Sequence, residues 1–300
     1  MNDRAGAASG WPWAGLAMAL AGAIAFSGKA IIVKLAYRHG VDAVTLLMYR
    51  MLFAMPLFVA LAWWAGRGRP ALTRDDLRVV ALLGFSGYYL ASFLDFLGLQ
   101  YISASLERLI LYLTPTLVLG FGALFFGHRV TSRQLLALAV SYAGVLLVFG
   151  HEVRFSGTDT FIGAALVFGG AISYALYLVF SGEHVARLGA LRLTGWATSI
   201  AALLCIAQFL VLRPLSAAEV ATPVLWLSVL NALACTFAPV IMVMLAIERI
   251  GATLTAQTGM IGPLSTLLMG VWLLGEPFNT WIAAGTVLVL AGVALLARAR

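Results

Sequence analysis

The chain has 300 residues, 62% of them hydrophobic and only 10% charged, with a formal net charge of +7. Mean hydropathy is +0.99, whereas a soluble domain carries about a quarter charged residues and just under half apolar ones. A soluble interior, limited by surface-to-volume geometry, has no place for that excess. The basic residues lie between apolar runs rather than on one clustered face. The composition therefore excludes a soluble globular domain and a nucleic-acid binder, and names the lipid bilayer as the chain's first partner.

A helix needs roughly 20 apolar residues to cross a hydrocarbon core. On that scale the chain predicts ten spans, near 13–36, 43–65, 77–98, 102–126, 131–150, 160–182, 191–212, 222–246, 251–275 and 278–297. Asp3 and Arg4 are the only charged residues before Trp11, and the first run is too long for a signal peptide, so it is expected to remain as the first span. The connections are short and marked by Gly, Pro or charge, at 66–70, 127–133, 150–157, 213–223 and 276–277. Cys205 and Cys235 fall inside apolar runs without C-x-x-C spacing, as small core residues do, and imply neither disulfide nor metal site.

Lys and Arg accumulate in cytoplasmic loops. With the N-terminus inside, the inner segments hold Arg4, Arg67, Arg69, Arg74, Arg78, Arg129, Arg133, Arg187, Arg192, Arg249, Arg298 and Arg300, and the outer loops only Arg38, Arg154 and Arg213. Both termini are expected to be cytoplasmic, in a multi-pass protein of the cell (inner) membrane.

Shifting the chain by 148 positions brings distant features into register. Gly22-Ala23-Ile24 falls on Gly170-Ala171-Ile172, Gly15 on Gly163, Ile102 on Ile250, Ala104 on Ala252 and Ser105 on Thr253. Pro115 falls on Pro263, Gly122 on Gly270, Gly127 on Gly275, and Ala143-Gly144-Val145 on Ala291-Gly292-Val293. The second and seventh spans show no such match. The expected fold is an all-α membrane protein of ten transmembrane helices, built as two five-helix repeats over 1–150 and 151–300. An odd number of crossings starts the second repeat on the opposite side, which makes the topology inverted, as in alternating-access carriers.

Pro115 and Pro263 interrupt the fourth and ninth spans at repeat-equivalent positions. A proline there removes an i→i−4 bond, and in lipid the freed carbonyl must find another partner. Thr114, Thr116, Ser265 and Thr266 carry hydroxyls close by. The pair reads either as static kinks or as paired hinges, and Gly259 and Gly262 make the ninth span especially breakable. Pro56 and Pro239 read as local kinks.

Ionisable residues inside spans are functional candidates by default. They are Lys29, Lys34, Arg50, Asp95, Glu107 and Arg108, all in the first half and, on this topology, in its outer part. Lys34 is expected to snorkel, and Arg50 to snorkel or to form a structural ion pair. For Lys29, Asp95, Glu107 and Arg108 two readings stand: an ion-pair network at the outer mouth, with Asp95–Arg108 or Glu107–Lys29 pairing, or a substrate or proton site. The second half offers amides and hydroxyls instead, Asn231, Thr236, Thr255, Gln257 and Thr258. Thr255, Thr258, Gly262 and Ser265 share one helix face, suited to a cavity wall or a packing seam. Trp11, Trp13, Trp63 and Trp64 fit an interfacial belt. Tyr88, Tyr89, Phe93, Tyr112, Tyr174 and Tyr177 lie deeper, where rings either pack or contact an apolar solute.

Gly262-Pro263-Leu264, Leu267-Leu268, Trp272-Leu273-Leu274-Gly275-Glu276 and the final Gly285 to Gly292-Val293 pattern resemble the EamA group of the drug/metabolite transporter superfamily, over nearly the whole chain. Where the family commonly ends its fourth and ninth spans in Gly-Glu, this chain has Gly275-Glu276 but Gly127-His128. Within the group it is similar to the YddG-type exporters of aromatic amino acids. That resemblance implies export of amino acids or similar metabolites through a central cavity between the halves. The residues read as cavity candidates are Lys29, Tyr89, Phe93, Asp95, Glu107, Arg108, Tyr112, Tyr174, Asn231, Gln257 and Thr258, with Pro115 and Pro263 as hinges. An exporter of another metabolite or drug class is the alternative. An enzyme is not expected: no H-E-x-x-H or P-loop occurs, and His39, His128, His151 and His184 fall in loops or at span ends. No catalytic residue, metal or cofactor is expected. The partners are the bilayer, a small-molecule substrate and, in one reading of the buried charges, protons.

Overall fold

A computed structural model describes residues 12–127, 130–259 and 261–298. The described residues are helical apart from turns and short loops. The helices are α1 (Pro12–Tyr37), α2 (Ala43–Gly66), α3 (Arg74–Gly98), α4 (Ala104–Leu111), α5 (Thr114–Phe126), α6 (Ser132–Ser156) and α7 (Asp159–Leu188). They continue with α8 (Ala190–Leu212), α9 (Thr222–Ala232), α10 (Ala238–Gly259), α11 (Gly262–Met269) and α12 (Thr280–Arg298).

Eight helical stretches among the described residues are long and apolar enough to cross a membrane, and Gly262–Leu274 and Thr280–Leu296 are shorter apolar helices. Large apolar side chains such as Leu82, Leu124, Leu146, Val211 and Trp272 lie exposed on the bundle. Apolar surface on this scale is not tolerated in water. Lipid covers it.

The expected break between the eighth and ninth spans takes an unexpected form. Helical hydrogen bonding runs from Ala238 to Gly259 without a loop, yet the chain reverses within it. Ile250 packs on Gly15, near the start of α1, while the Gly259 carbonyl accepts a bond from Tyr112 and the Gly262 carbonyl one from Ser27. Gly15 and Ser27 stand about 18 Å apart along a helix of 1.5 Å rise. A straight α10 would carry Gly259 away from Ser27, not back to it.

The spans pack as partners across the two halves. Helix α1 lies on α10 and α11; α7 lies on α3 and α5; α2 packs on α8 and α6 on α12. Exchanging each helix for its counterpart 148 residues away leaves this scheme unchanged. Glycines set the closest approaches. Gly15 faces Ile250, and Gly163 faces Ile102; Gly22 faces the Pro239 carbonyl, and Gly170 the Ala91 carbonyl. Gly144 meets the Gly285 carbonyl while Gly292 meets that of Ala137. Each contact recurs with the halves exchanged, so the sequence offset is also a relation in space.

Local chemistry fixes the element ends. Thr73 with Asp76 and Thr131 with Gln134 form reciprocal capping boxes at the starts of α3 and α6, satisfying donors that a helix start leaves free. The C-terminal glycines of the fourth and ninth spans, Gly127 and Gly275, hold φ of 68° and 71°, a left-handed conformation that a side chain resists.

Candidate functional site

Two spans are discontinuous, at Pro115 and at Pro263. Pro115 and Pro263 do not bend continuous helices: each stands in the first turn of a restarted one, α5 and α11, where a missing N–H costs nothing. The carbonyls freed by the prolines, four residues back, both find hydroxyls. Leu111 O accepts from Thr114 Oγ1 at 2.6 Å, as the flanking threonine suggested. Gly259 O accepts from Tyr112 Oη at 2.8 Å, across the two halves. Ser265 and Thr116 bond to Ile261 O and Leu113 O in the same neighbourhoods.

A second pair of irregularities lies close by. Single π-helical turns occupy Phe85–Leu90 and Leu233–Phe237, again 148 residues apart. Such turns are frequent at functional sites because they shift the register of the side chains that follow. They deliver Tyr88 and Thr236, themselves repeat-equivalent, to the same cavity. The Thr236 hydroxyl returns to Asn231 O at 2.9 Å, closing the gap the π turn leaves in its ladder.

Between the halves lie two adjoining cavities, of about 240 and 440 Å³, with Phe26, Tyr88, Arg108, Tyr112, Tyr174 and Val240 common to both. The smaller also meets Lys29, Arg50, Asp95 and Thr236. The larger extends past Tyr177 and Thr194 toward Ala19 and Val243. A separate vestibule of about 1090 Å³ opens at one end of the bundle, among Lys34, Tyr37, Gln100, Glu152 and Glu276. Along α1 the order is therefore Ala19 and Phe26 in the central cavities, Lys29 at their edge, then Lys34 and Tyr37 in the vestibule.

The buried charges stand at that edge. Lys29 Nζ is 2.5 Å from Asp95 Oδ2 and 3.3 Å from Glu107 Oε1. The second contact lacks hydrogen-bond alignment, so both Glu107 oxygens, in a fully buried side chain, remain without a hydrogen-bond donor, as does Asp95 Oδ1. The Glu107–Lys29 pairing is present; Asp95 takes Lys29 rather than Arg108. Arg108 instead donates to Thr266 Oγ1 at 3.0 Å and to Phe26 O at 3.1 Å. Arg50 does not snorkel, and among the described residues no acid lies within ion-pair distance of it. It is 6% exposed, donates from Nε to Thr236 Oγ1 at 3.0 Å, and lies 5.2 Å from the Phe96 ring centre. The snorkelling expectation failed because Arg50 faces the opposite half, where Thr236 gives it a partner inside the bundle.

Glu276 lines the vestibule and bonds to the start of α4. Its carboxylate accepts from Ala104 N at 2.7 Å, Ser105 N at 3.3 Å and Ser105 Oγ at 2.7 Å, an anion on the N-terminus of α4. Tyr37 donates to Phe96 O and Arg38 to Leu274 O beside it. The acidic residue of the Gly-Glu pair thus ties the second half to the first. Its counterpart, His128, lies outside the described residues.

Of the residues picked from sequence, Lys29, Asp95, Arg108, Tyr112 and Tyr174 line the central cavities, and Glu107 sits directly behind Lys29. Tyr89 and Phe93 do not line them: their rings stack 6.4 Å apart and pack on the apolar cluster around Leu47 and Phe96. Asn231 is fully buried, its amide without a hydrogen-bond partner, and lines neither cavity. Thr258 is half-buried, and the side chain of Gln257 lies outside the described residues. Phe26 was missed, and Arg50, Tyr88 and Tyr177, noted as a buried charge and deep rings, were not among the cavity candidates though they line the cavities. Position alone does not separate a tyrosine that packs from one that lines a cavity. The π turn moves Tyr88 off the face that a regular helix would give it.

A multi-span helical bundle with polar and aromatic cavities between its halves is an architecture that suits a membrane transporter. The family model of the EamA-like transporter family matches the chain twice, over residues 13–150 and 161–298. The chain belongs to that family, and the two matches begin 148 residues apart. It is 31% identical over 276 residues to the uncharacterized transporter YcbK of Bacillus subtilis, covering 88% of this chain and 86% of that one. An uncharacterized transporter of Archaeoglobus fulgidus is 25% identical over 275 residues, covering 90% and 92%. A WAT1-related protein of Arabidopsis thaliana is 29% identical over 185 residues, 52% of each chain. A crystal structure sharing 15% identity superposes with a TM-score of 0.66, over 94% of this chain and 97% of that one, a likeness of fold alone.

Proposed function

We propose that the protein is a secondary carrier that exports aromatic or other hydrophobic amino acids, or related metabolites, by alternating access through the cavity between its halves. The observation that carries this reading is the central cavity itself. Tyr88, Tyr112, Tyr174 and Tyr177 offer an apolar body a place, and Lys29, Arg50, Arg108 and Asp95 offer its polar head one. Few convergent polar groups in an otherwise aromatic wall are what a small-molecule site requires.

Ten spans in two repeats, 1–150 and 151–300, of inverted topology suit the exchanged contacts of Gly15, Gly22, Gly144 and their counterparts. The shorter helices Gly262–Leu274 and Thr280–Leu296 supply the last two crossings. Both termini then lie in the cytoplasm of a cell whose inner membrane holds the chain, with the vestibule outside. The interrupted spans at Pro115 and Pro263 are the hinges, and catalysis is no part of this reading. The test is counterflow in proteoliposomes with labelled Phe, Trp, Thr and a cationic drug. Saturable exchange of Phe and Trp is expected. Ohmic current, or conversion of any solute to a product, would overturn the carrier.

A further inference from the structure

Resting on that cavity as the cargo site, we infer that the protein selects its cargo by a carboxylate headgroup held at Arg50, with Arg108 beside it, and that the cargo's ammonium group is dispensable. The argument begins with charge. Three buried cations, Lys29, Arg50 and Arg108, share the site with two buried carboxylates, Asp95 and Glu107. Both acids are turned to Lys29. Among the described residues no carboxylate lies within 4.0 Å of either guanidinium. The cluster therefore carries at least one positive charge in excess, and protonating either acid raises it. An uncompensated ion in a membrane interior is strongly disfavoured.

The excess is localised. Arg108 is hydrogen-bonded to Thr266 and Phe26, while Arg50, over the Phe96 ring, has a hydrogen bond to Thr236 and a buried Nη1 without a hydrogen-bond partner. A guanidinium offers a planar fork of donors suited to a carboxylate. A monoanion seated there neutralises the cluster. A zwitterion brings the same carboxylate but also a new cation; even where Asp95 Oδ1, which has no donor, accepts from it, the cluster keeps its excess positive charge. The cavities of about 240 and 440 Å³ next to Arg50 and Arg108 take the apolar body against Tyr88, Tyr112 and Tyr174. The cargo class is an aromatic or similarly bulky apolar carboxylic acid, amino or not.

The experiment measures binding of 3-phenylpropionate, phenylalanine and phenethylamine to the purified full chain in detergent by calorimetry, alongside the variant Arg50→Gln. We expect 3-phenylpropionate to bind at least as tightly as phenylalanine, and phenethylamine at least about tenfold more weakly. Arg50→Gln should weaken the acid by about tenfold or more, as loss of one member of a buried charge pair does. It should not lower the unfolding temperature of the unliganded protein, because it removes an unmatched charge. Phenethylamine binding as tightly as the acid, failure of all three to bind, or an Arg50→Gln variant that keeps full affinity would overturn the inference. If Arg50→Gln does not fold, the ranking of the three probes decides alone. Binding of the acid without flux would sink the carrier reading and leave this one standing; flux indifferent to headgroup charge would do the reverse.

Discussion

Lys29 holds two carboxylates that, among the described residues, have no other cation within ion-pair distance. Replacing it with alanine leaves Asp95 and Glu107 buried and unmatched, which should destabilise the protein by about 3–5 kcal/mol, read from unfolding in detergent. Adding Asp95→Asn and Glu107→Gln should recover most of the loss. No loss in the single variant would mean that the acids are solvated. Asp42 makes a different prediction, outside the spans. Burial acts to raise its carboxyl, but hydrogen bonds from Thr45 and Arg213 and the Arg213 charge outweigh it and hold the group below its ordinary range. Its side chain caps α2 through Val44 N and Thr45 N. A depressed folded value stabilises above the unfolded value of about 3.9 and is lost as pH falls through the folded one. Asp42→Asn should therefore flatten the fall in stability below about pH 4; an unchanged profile would remove Asp42 from the account. At this scale the sequence announced Lys29, Asp95, Glu107 and Arg108, because charge inside an apolar run is conspicuous. It did not announce that Arg50 lacks an acid, since partnership across the halves has no local signal.

The interrupted spans carry the element-scale chemistry. Pro115 and Pro263 were legible as breakers, and so was the need for hydroxyls nearby. The donor to Gly259 O, however, is Tyr112 from the other half, which no local pattern could indicate. Tyr112→Phe should cost about 1 kcal/mol and leave Thr114→Leu111 untouched. An unchanged unfolding midpoint would show that the carbonyl finds another donor. At the vestibule end, Glu276 caps α4 with three bonds. Glu276→Gln should loosen this end and raise labelling of Leu99→Cys by a membrane-impermeant maleimide severalfold. Leu99 is fully buried and lines the vestibule, and both natural thiols are buried. Equal labelling with and without the substitution would deny Glu276 a role in closure. The π turns were not legible at all, because a one-residue shift of register leaves composition and periodicity nearly unchanged.

Across the whole molecule the 148-residue offset was the most informative reading, since its glycines recur where helices approach closely or where a helix ends in a left-handed turn. Contacts of Gly15 with Ile250 and of Gly163 with Ile102 give it a spatial meaning. Chemistry breaks the symmetry. The counterparts of Lys29, Asp95, Glu107 and Arg50 are Tyr177, Val243, Thr255 and Thr198, so the charged edge exists on the vestibule side only. Two halves with equivalent packing and unequal chemistry suit a carrier whose ends open in turn but bind unequally. The direct test is a pair of spin-label distances in the reconstituted chain. One spans the vestibule end, Gln100 to Thr280. The other spans the opposite end, Arg249 to Ser132. All four side chains are exposed. On adding saturating phenylalanine the account predicts that one distance lengthens while the other shortens. Two distances that move together, or that both stay fixed while flux proceeds, would contradict alternating access.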